Sequence, residues 1–154
     1  MSAELRGGVV SVCSGPGGIP KRPVPEAQVA AEGLTGDCHR FEQHGGLDRA
    51  VCLFSMEDYA ALQADGVACR PPGAFGENLL IEGLDFDVLE IGDRLFVGDE
   101  VELEIHDQRE PCGTLLSLDQ RFPDLLTGRS GWLCRVIAGG TLRPGQMLRV
   151  VRPA

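Results

Sequence analysis

The stretch Arg109-Glu110-Pro111-Cys112-Gly113 sets a cysteine directly after a proline, where a strand-like run gives way to a helix-forming one. Proline suits a helix start, because its missing N–H would have had no partner there. A thiol in a first helical turn sees the positive end of the helix dipole, which favours the thiolate. Arg109, three residues earlier, adds positive charge. A thiolate is a nucleophile, a soft metal ligand and a carrier of sulfane sulfur as a persulfide. The plain alternative is a half-buried loop cysteine; the position after proline and beside Arg109 favours chemistry.

A second concentration of reactive groups is Cys38-His39-Arg40-Phe41-Glu42-Gln43-His44-Gly45-Gly46-Leu47-Asp48-Arg49, which holds two of the three histidines. Cys38, His39 and His44 could ligate a metal, although their spacing matches no recognised ligand pattern. Cys112 could pair with His39, His44 or His106 as a nucleophile and base. The chain has no G-x-S-x-G, Walker loop, H-E-x-x-H or G-x-G-x-x-G.

These groups need a scaffold, and the sequence reads as strands and turns. Val9–Cys13, Ala50–Phe54, Asn78–Glu82, Trp132–Ile137 and Gln146–Val151 are apolar runs of strand length, and Glu26–Glu32 alternates weakly. Ala50–Phe54 is continuous enough to be buried on both faces, with Cys52 as a small core residue. Arg94–Val97 and Val101–Ile105 flank Gly98-Asp99 as a hairpin with one wet, acidic face. Ser55 looks like an N-cap, with Glu57 and Asp58 in the first turn, and Met56, Tyr59, Ala60 and Leu62 keep helical spacing up to Gly66. Thr114–Leu118 is the second expected helix. The segments 14–25, 33–37 and 69–77 read as loops. Cys13 and Cys134 are expected in the core, whereas Cys38 and Cys69 fall in loops.

The totals agree with one β-rich domain over residues 1–154 and about two short helices. Glycine (21) and proline (10) make up a fifth of the 154 residues, which suits short strands joined by turns. The net charge of −9 opposes binding to a nucleic-acid backbone. Any anion must therefore meet a local cluster of cations. Lys21 is the only lysine, and the thirteen arginines carry the rest of the positive charge. The six cysteines include no C-x-x-C, and no apolar run approaches a signal core or a membrane span. The expected location is cytoplasmic, with thiols reduced.

Several stretches resemble the MOSC domain, the family related to the C-terminal part of molybdenum cofactor sulfurases, and in particular its small stand-alone bacterial members. They are Gly36-Asp37-Cys38-His39 with His44-Gly45-Gly46-Leu47-Asp48-Arg49-Ala50-Val51, then Gly73-Ala74-Phe75-Gly76-Glu77-Asn78-Leu79, Ile91-Gly92-Asp93-Arg94-Leu95, Arg109-Glu110-Pro111-Cys112, and Gly128-Arg129-Ser130-Gly131-Trp132 running to Arg135-Val136. They occur in the family's order over roughly residues 5 to 150. The resemblance implies a mostly β, barrel-like fold. It implies that Cys112 is the family's characteristic cysteine, a molybdenum ligand or sulfur carrier. It places Asn78 near the pterin of the molybdenum cofactor, with His44, Asp48 and Arg49 in the H-G-G loop. Amidoxime-reducing relatives carry an arginine two residues before that asparagine and an extra N-terminal β-barrel segment; this chain has Gly76 at that position.

An anionic pterin bearing a phosphate and a dithiolene would call for arginine forks, amide and carboxylate groups and one soft ligand. Cys112 as the reactive group and metal ligand, with His44, Asp48, Arg49, Asn78 and Arg129 as cofactor-binding residues, is the expected set. Pyridoxal phosphate is not expected. Three functions follow: a cofactor-binding or sulfur-carrier protein, as an enzyme a sulfur transferase, served by a sulfur donor; a molybdenum-dependent reductase of N-hydroxylated bases or amidoximes working with an electron-transfer protein; and a non-enzymatic metabolite-binding module. Each site residue has a plainer role: Asp48-Arg49 as an ion pair, Asn78 as a turn residue, Arg129 as a loop brace, and the histidines as structural.

Overall fold

The computed structural model of the chain describes residues 5–15, 21–31, 33–34, 50–109 and 131–153. Seven strands close into a barrel. They are β1 (Arg6–Ser14), β5 (Val51–Ser55), β6 (Leu79–Glu82), β7 (Arg94–Val97), β8 (Val101–Gln108), β9 (Trp132–Ala138) and β11 (Met147–Val151). Their order is β11-β7-β8-β9-β5-β6-β1, and pairing of β1 with β11 completes the ring. Closure leaves none of the seven with an open edge for pairing with another chain. β2 (Arg22–Val24) adds beside the far end of β1. A small second sheet holds β10 (Gly140–Leu142), β3 (Ala27–Ala30) and β4 (Gly33–Leu34).

Alternation aims the side chains. On β8, Val101, Leu103 and Ile105 point inward and are buried, while Glu102 and Glu104 face out. Glu104 meets Arg94 on β7 at 2.9 Å and Arg135 on β9 at 2.5 Å. This is the wet face expected of the hairpin. The interior is filled by Val9, Val12, Leu53, Leu79, Ile81, Leu95, Leu103, Ile105 and their neighbours.

β5 is buried along its whole length. Val51 and Leu53 join the barrel interior, and Phe54 joins a second core on the outer side. That outer core is covered by α1 (Met56–Ala64) and the segment leading to β6. Ser55 caps α1 by accepting the Asp58 N–H, and the helix buries Tyr59 and Leu62. Phe54, Tyr59 and Phe75 have ring centroids 4.9–5.1 Å apart. Each such aromatic pair adds about 0.5–1.5 kcal/mol beyond area burial. β5, α1 and β6 form a parallel crossover, the one parallel pairing among the described strands.

The expected mostly β barrel is the observed fold. α1 is the single α-helix among the described residues, joined by a 3-10 turn at Phe86–Val88. The helix expected at Thr114–Leu118 lies outside the described residues. β2 and β4 fall in segments read as loops, and β10 lies between the expected strands Trp132–Ile137 and Gln146–Val151. Each has two or three residues, too short to show an alternation, and its pairing is supplied by a distant partner.

Candidate functional site

Four described residues that belong to or adjoin the stretches singled out by their chemistry lie at one place on the barrel wall. Ala50 adjoins the 38–49 stretch, Asn78 opens β6, Arg109 begins the Cys112 stretch, and Gly131 follows Arg129-Ser130. All four surround Cys52 and Leu53 on β5. Leu53 stands opposite Leu79 on one side and Trp132 on the other. Arg109 donates its backbone N–H to the Gly131 carbonyl at 3.0 Å. Gly131 has φ +94°, and a Cβ there would overlap the Leu53 carbonyl oxygen. Only glycine allows this approach, and it ties both described ends of the 110–130 stretch to the middle of β5.

Asn78 is fully buried and spends its amide on the backbone. Its Oδ1 accepts the Cys52 N–H at 2.9 Å, and its Nδ2 donates to the Cys13 carbonyl at 3.2 Å. Its own N–H donates to the Cys52 carbonyl, and its carbonyl accepts from the Cys13 N–H. It thus bridges β1 and β5 at the point where β6 begins between them. This is a bracing geometry, supplied by an amide because the two neighbours present one donor and one acceptor.

The Cys52 thiol sits among charges. Arg109, Lys21 and Glu77 all lie within electrostatic range of it. Burial pushes the thiol's pKa up, and the two cations oppose that rise. Lys21 is buried, with its backbone N–H on the Gly73 carbonyl at 2.8 Å.

Glu77 is the other buried charge. Its carboxylate accepts the Tyr59 hydroxyl at 2.7 and 3.0 Å, the Gly73 N–H at 2.9 Å and the Phe75 N–H at 3.3 Å. Burial raises its pKa, while the hydrogen bonds and Arg109 pull the other way. Burial and the nearby carboxylate also hold the Tyr59 phenol well above its ordinary range. Glu77 therefore fastens the 73–77 segment to α1, and Gly73 fastens the same segment to Lys21.

Among the predicted site residues, the structure places Asn78 at this wall. Cys112, His44, Asp48, Arg49 and Arg129 lie outside the described residues, as do Cys38 and His39. His106 is exposed on β8. Cys13, Cys52, Cys69 and Cys134 are buried thiols outside any disulfide. Among the described residues, no group of three or more His, Cys, Asp or Glu is placed to hold a metal. Nor is any described helix long and apolar enough to cross a membrane. Residue types alone did not single out Lys21, Glu77 and Tyr59; the signal was a lone glutamate between Gly76 and Asn78 in an otherwise apolar and glycine-rich run.

The MOSC domain family profile matches residues 40–149, well over half of the chain. The chain belongs to the MOSC domain family. A protein of Gibberella moniliformis named "Reductase" is 32% identical over 136 residues, covering 79% of this chain and 23% of that protein. The protein YiiM of Escherichia coli is 32% identical over 137 residues, covering 82% of this chain and 59% of YiiM. The chain thus spans less than two thirds of the length of both relatives. The crystal structure of YiiM from Geobacillus stearothermophilus superposes with TM-score 0.78 at 26% identity, covering 95% of this chain and 75% of that one. The MOSC family is associated with molybdenum cofactor binding.

The described part of the wall fits such a group in its donor chemistry. Two cations, Lys21 and Arg109, lie within electrostatic range of the Cys52 thiol. An anionic cofactor with a soft-ligand requirement needs positive charge and sulfur together.

Proposed function

We propose that this MOSC chain, a single domain over residues 1–154, binds molybdenum cofactor or a related pterin at the wall around Cys52, with Cys112 as molybdenum ligand or persulfide carrier. The observation that carries the reading is the meeting of Ala50, Asn78, Arg109 and Gly131 around one turn of β5. Stretches far apart in sequence enter or leave the same place. Arg109 and Lys21 offset the negative charge of the phosphate and dithiolene. Asn78 keeps Cys52 and the strand ends in register behind them. Glu77 and Tyr59 hold the segment that carries Asn78. His44, Asp48, Arg49 and Arg129 complete the cofactor contacts. When bound, the group supplies a redox-active molybdenum centre; the chain supplies its ligand and its orientation.

Native mass spectrometry on protein purified without oxygen from a molybdenum-replete host, with metal analysis on the same sample, tests this. A molybdopterin mass with molybdenum, lost in Cys112→Ala, is the expected result for cofactor binding. One added sulfur on Cys112 without metal is the result expected of a sulfur carrier. Equal retention of cofactor by wild type and Cys112→Ala refutes the role given to Cys112.

The relative named "Reductase" favours a second reading, reduction of N-hydroxylated bases or amidoximes with an electron-donor partner. Cofactor-loaded protein supplied with a donor should then turn over such a substrate. No turnover at full loading counts against it.

A further inference from the structure

Beyond the end of α1 the chain crosses to β6 without helix or strand, and this crossing is pinned at several points. Gly66 turns the chain with φ +88°. Val67 donates its N–H to the Leu62 carbonyl at 3.0 Å, and Gln63 on α1 donates its Nε2 to the Cys69 carbonyl at 2.7 Å. The Gly73 carbonyl accepts the Lys21 N–H at 2.8 Å, and a Cβ on Gly73 would overlap the Lys21 carbonyl oxygen. An irregular segment tied down in this way presents a preformed surface, which lowers the cost of binding to it.

That surface holds a hollow of about 540 Å³, a volume within the range of small-molecule sites. Val67 and Ala74, both buried in the outer core, line it with the exposed Ala68 and the half-buried Pro72. Among the described residues no acidic side chain lines it, in a chain that carries 23 of them. The one charged side chain lining it is Arg70, which is exposed. The Arg70 side chain has no ion pair or hydrogen bond among the described residues, whereas Arg94, Arg135, Arg143 and Arg152 each meet a carboxylate. A guanidinium set against apolar walls without a counter-charge complements a carboxylate that carries an apolar chain.

We propose that this hollow binds a small aliphatic carboxylic acid. The carboxylate takes the Arg70 guanidinium fork, and the chain lies against Val67, Ala68, Pro72 and Ala74. Arg70 sets the sign of the charge, and the apolar walls set the need for a chain. The hollow shares no residue with the wall around Cys52, and the proposal does not depend on the function proposed there.

The test is a titration of the isotope-labelled protein with octanoate, butanoate and octylammonium, followed by amide chemical shifts. Octanoate should give saturable shifts centred on residues 63, 67–70, 73 and 74. Butanoate should bind at least tenfold more weakly, because each methylene covered contributes up to about fourfold. Octylammonium has the same chain and the opposite charge, and should not saturate at these amides. Arg70→Gln should weaken octanoate about tenfold. Ala68→Asp, an exposed substitution that leaves Arg70 in place, should weaken it at least as much. Arg143→Gln, a surface arginine paired with Glu26 at 2.9 Å, should leave it unchanged. The amide spectrum of each variant reports its folding directly. Absence of saturation with octanoate, shifts centred elsewhere, or undiminished binding in Arg70→Gln overturns the site. Equal binding of octylammonium overturns the carboxylate, and equal binding of butanoate overturns the chain.

Discussion

Replacing Tyr59 by phenylalanine removes one hydroxyl from a site with no solvent to take its place. Tyr59 and Glu77 are both 0% exposed, and the phenol donates to the carboxylate at 2.7 and 3.0 Å. A hydrogen bond to a charged group contributes about 1.5–3 kcal/mol, against about 0.5–1.5 for a neutral pair. Glu77 would keep the Gly73 and Phe75 N–H donors, so the carboxylate is weakened rather than abandoned. At pH 8.5 the variant should therefore lose about 1.5–3 kcal/mol, or roughly 3–12 °C in Tm for a domain of this size.

The loss should depend on pH in a fixed direction. Glu77 has a raised pKa in the fold, so the folded state holds its proton to higher pH than the unfolded state does. Stability from this group is therefore greatest below the ordinary value of 4.5 and declines as pH rises through the folded value. The tyrosine hydroxyl lowers that folded value, so Tyr59→Phe raises it further and steepens the decline. The penalty should be smaller at pH 5 than at pH 8.5. Urea unfolding of wild type, Tyr59→Phe, Glu77→Gln and the double variant at both pH values measures the coupling. A penalty below about 0.5 kcal/mol at pH 8.5, or one equal at both pH values, refutes a charged Glu77 held by Tyr59.

Three further outcomes follow from single observations. Gly131→Ala adds a Cβ against the Leu53 carbonyl at φ +94°; strain and overlap together should cost about 2–6 kcal/mol, and a urea midpoint little changed from wild type would show that β5 and β9 separate easily. Asn78→Ala strands a buried N–H of Cys52 and a carbonyl of Cys13, at about 1–3 kcal/mol for each group, and hydrogen exchange at the Cys52 amide should quicken; Asn78→Asp, which keeps the acceptor but loses the donor, should restore protection at Cys52 only. Arg152 grips Asp93 with two bonds of 2.9 Å and holds its carboxyl below the ordinary 3.8. That stability is present above pH 3.8 and is lost as pH falls through the folded value, so Arg152→Ala should lower stability at pH 7 and differ less from wild type in acid melts. A constant difference down to pH 2 would contradict it.

The barrel was legible because its strands carry the signal themselves. β8 alternates, β5 is an unbroken apolar run, and α1 has a serine cap with acids in its first turn. The site was legible as a set of stretches but not as a place. Nothing local says that Asn78 and Arg109 both meet Cys52, because strand order is set by closure of the ring rather than by spacing. Asn78 reads as a turn residue or ligand, and only its two neighbours reveal a brace between strands. Lys21 looks like a surface lysine in a proline-rich run, yet is buried where that run is pulled down by the Gly73 carbonyl. Glu77 and Tyr59 are eighteen residues apart and pair only because α1 crosses between two parallel strands.

The burial of four of the six cysteines sharpens the role proposed for Cys112. Cys13 and Cys134 are 0% exposed, and burial pushes the Cys134 thiol up. Burial also raises Cys69 and Cys52, so neither is a ready thiolate at neutral pH even with Arg109 beside Cys52. Alkylation depends on the thiolate and on access to it. If Cys112 is the reactive thiol proposed above, a native sample treated briefly with iodoacetamide at pH 7 should be labelled at Cys112 well ahead of these four. Rapid labelling of Cys52 would show that the wall opens in solution, and would move the reactive sulfur from Cys112 to β5.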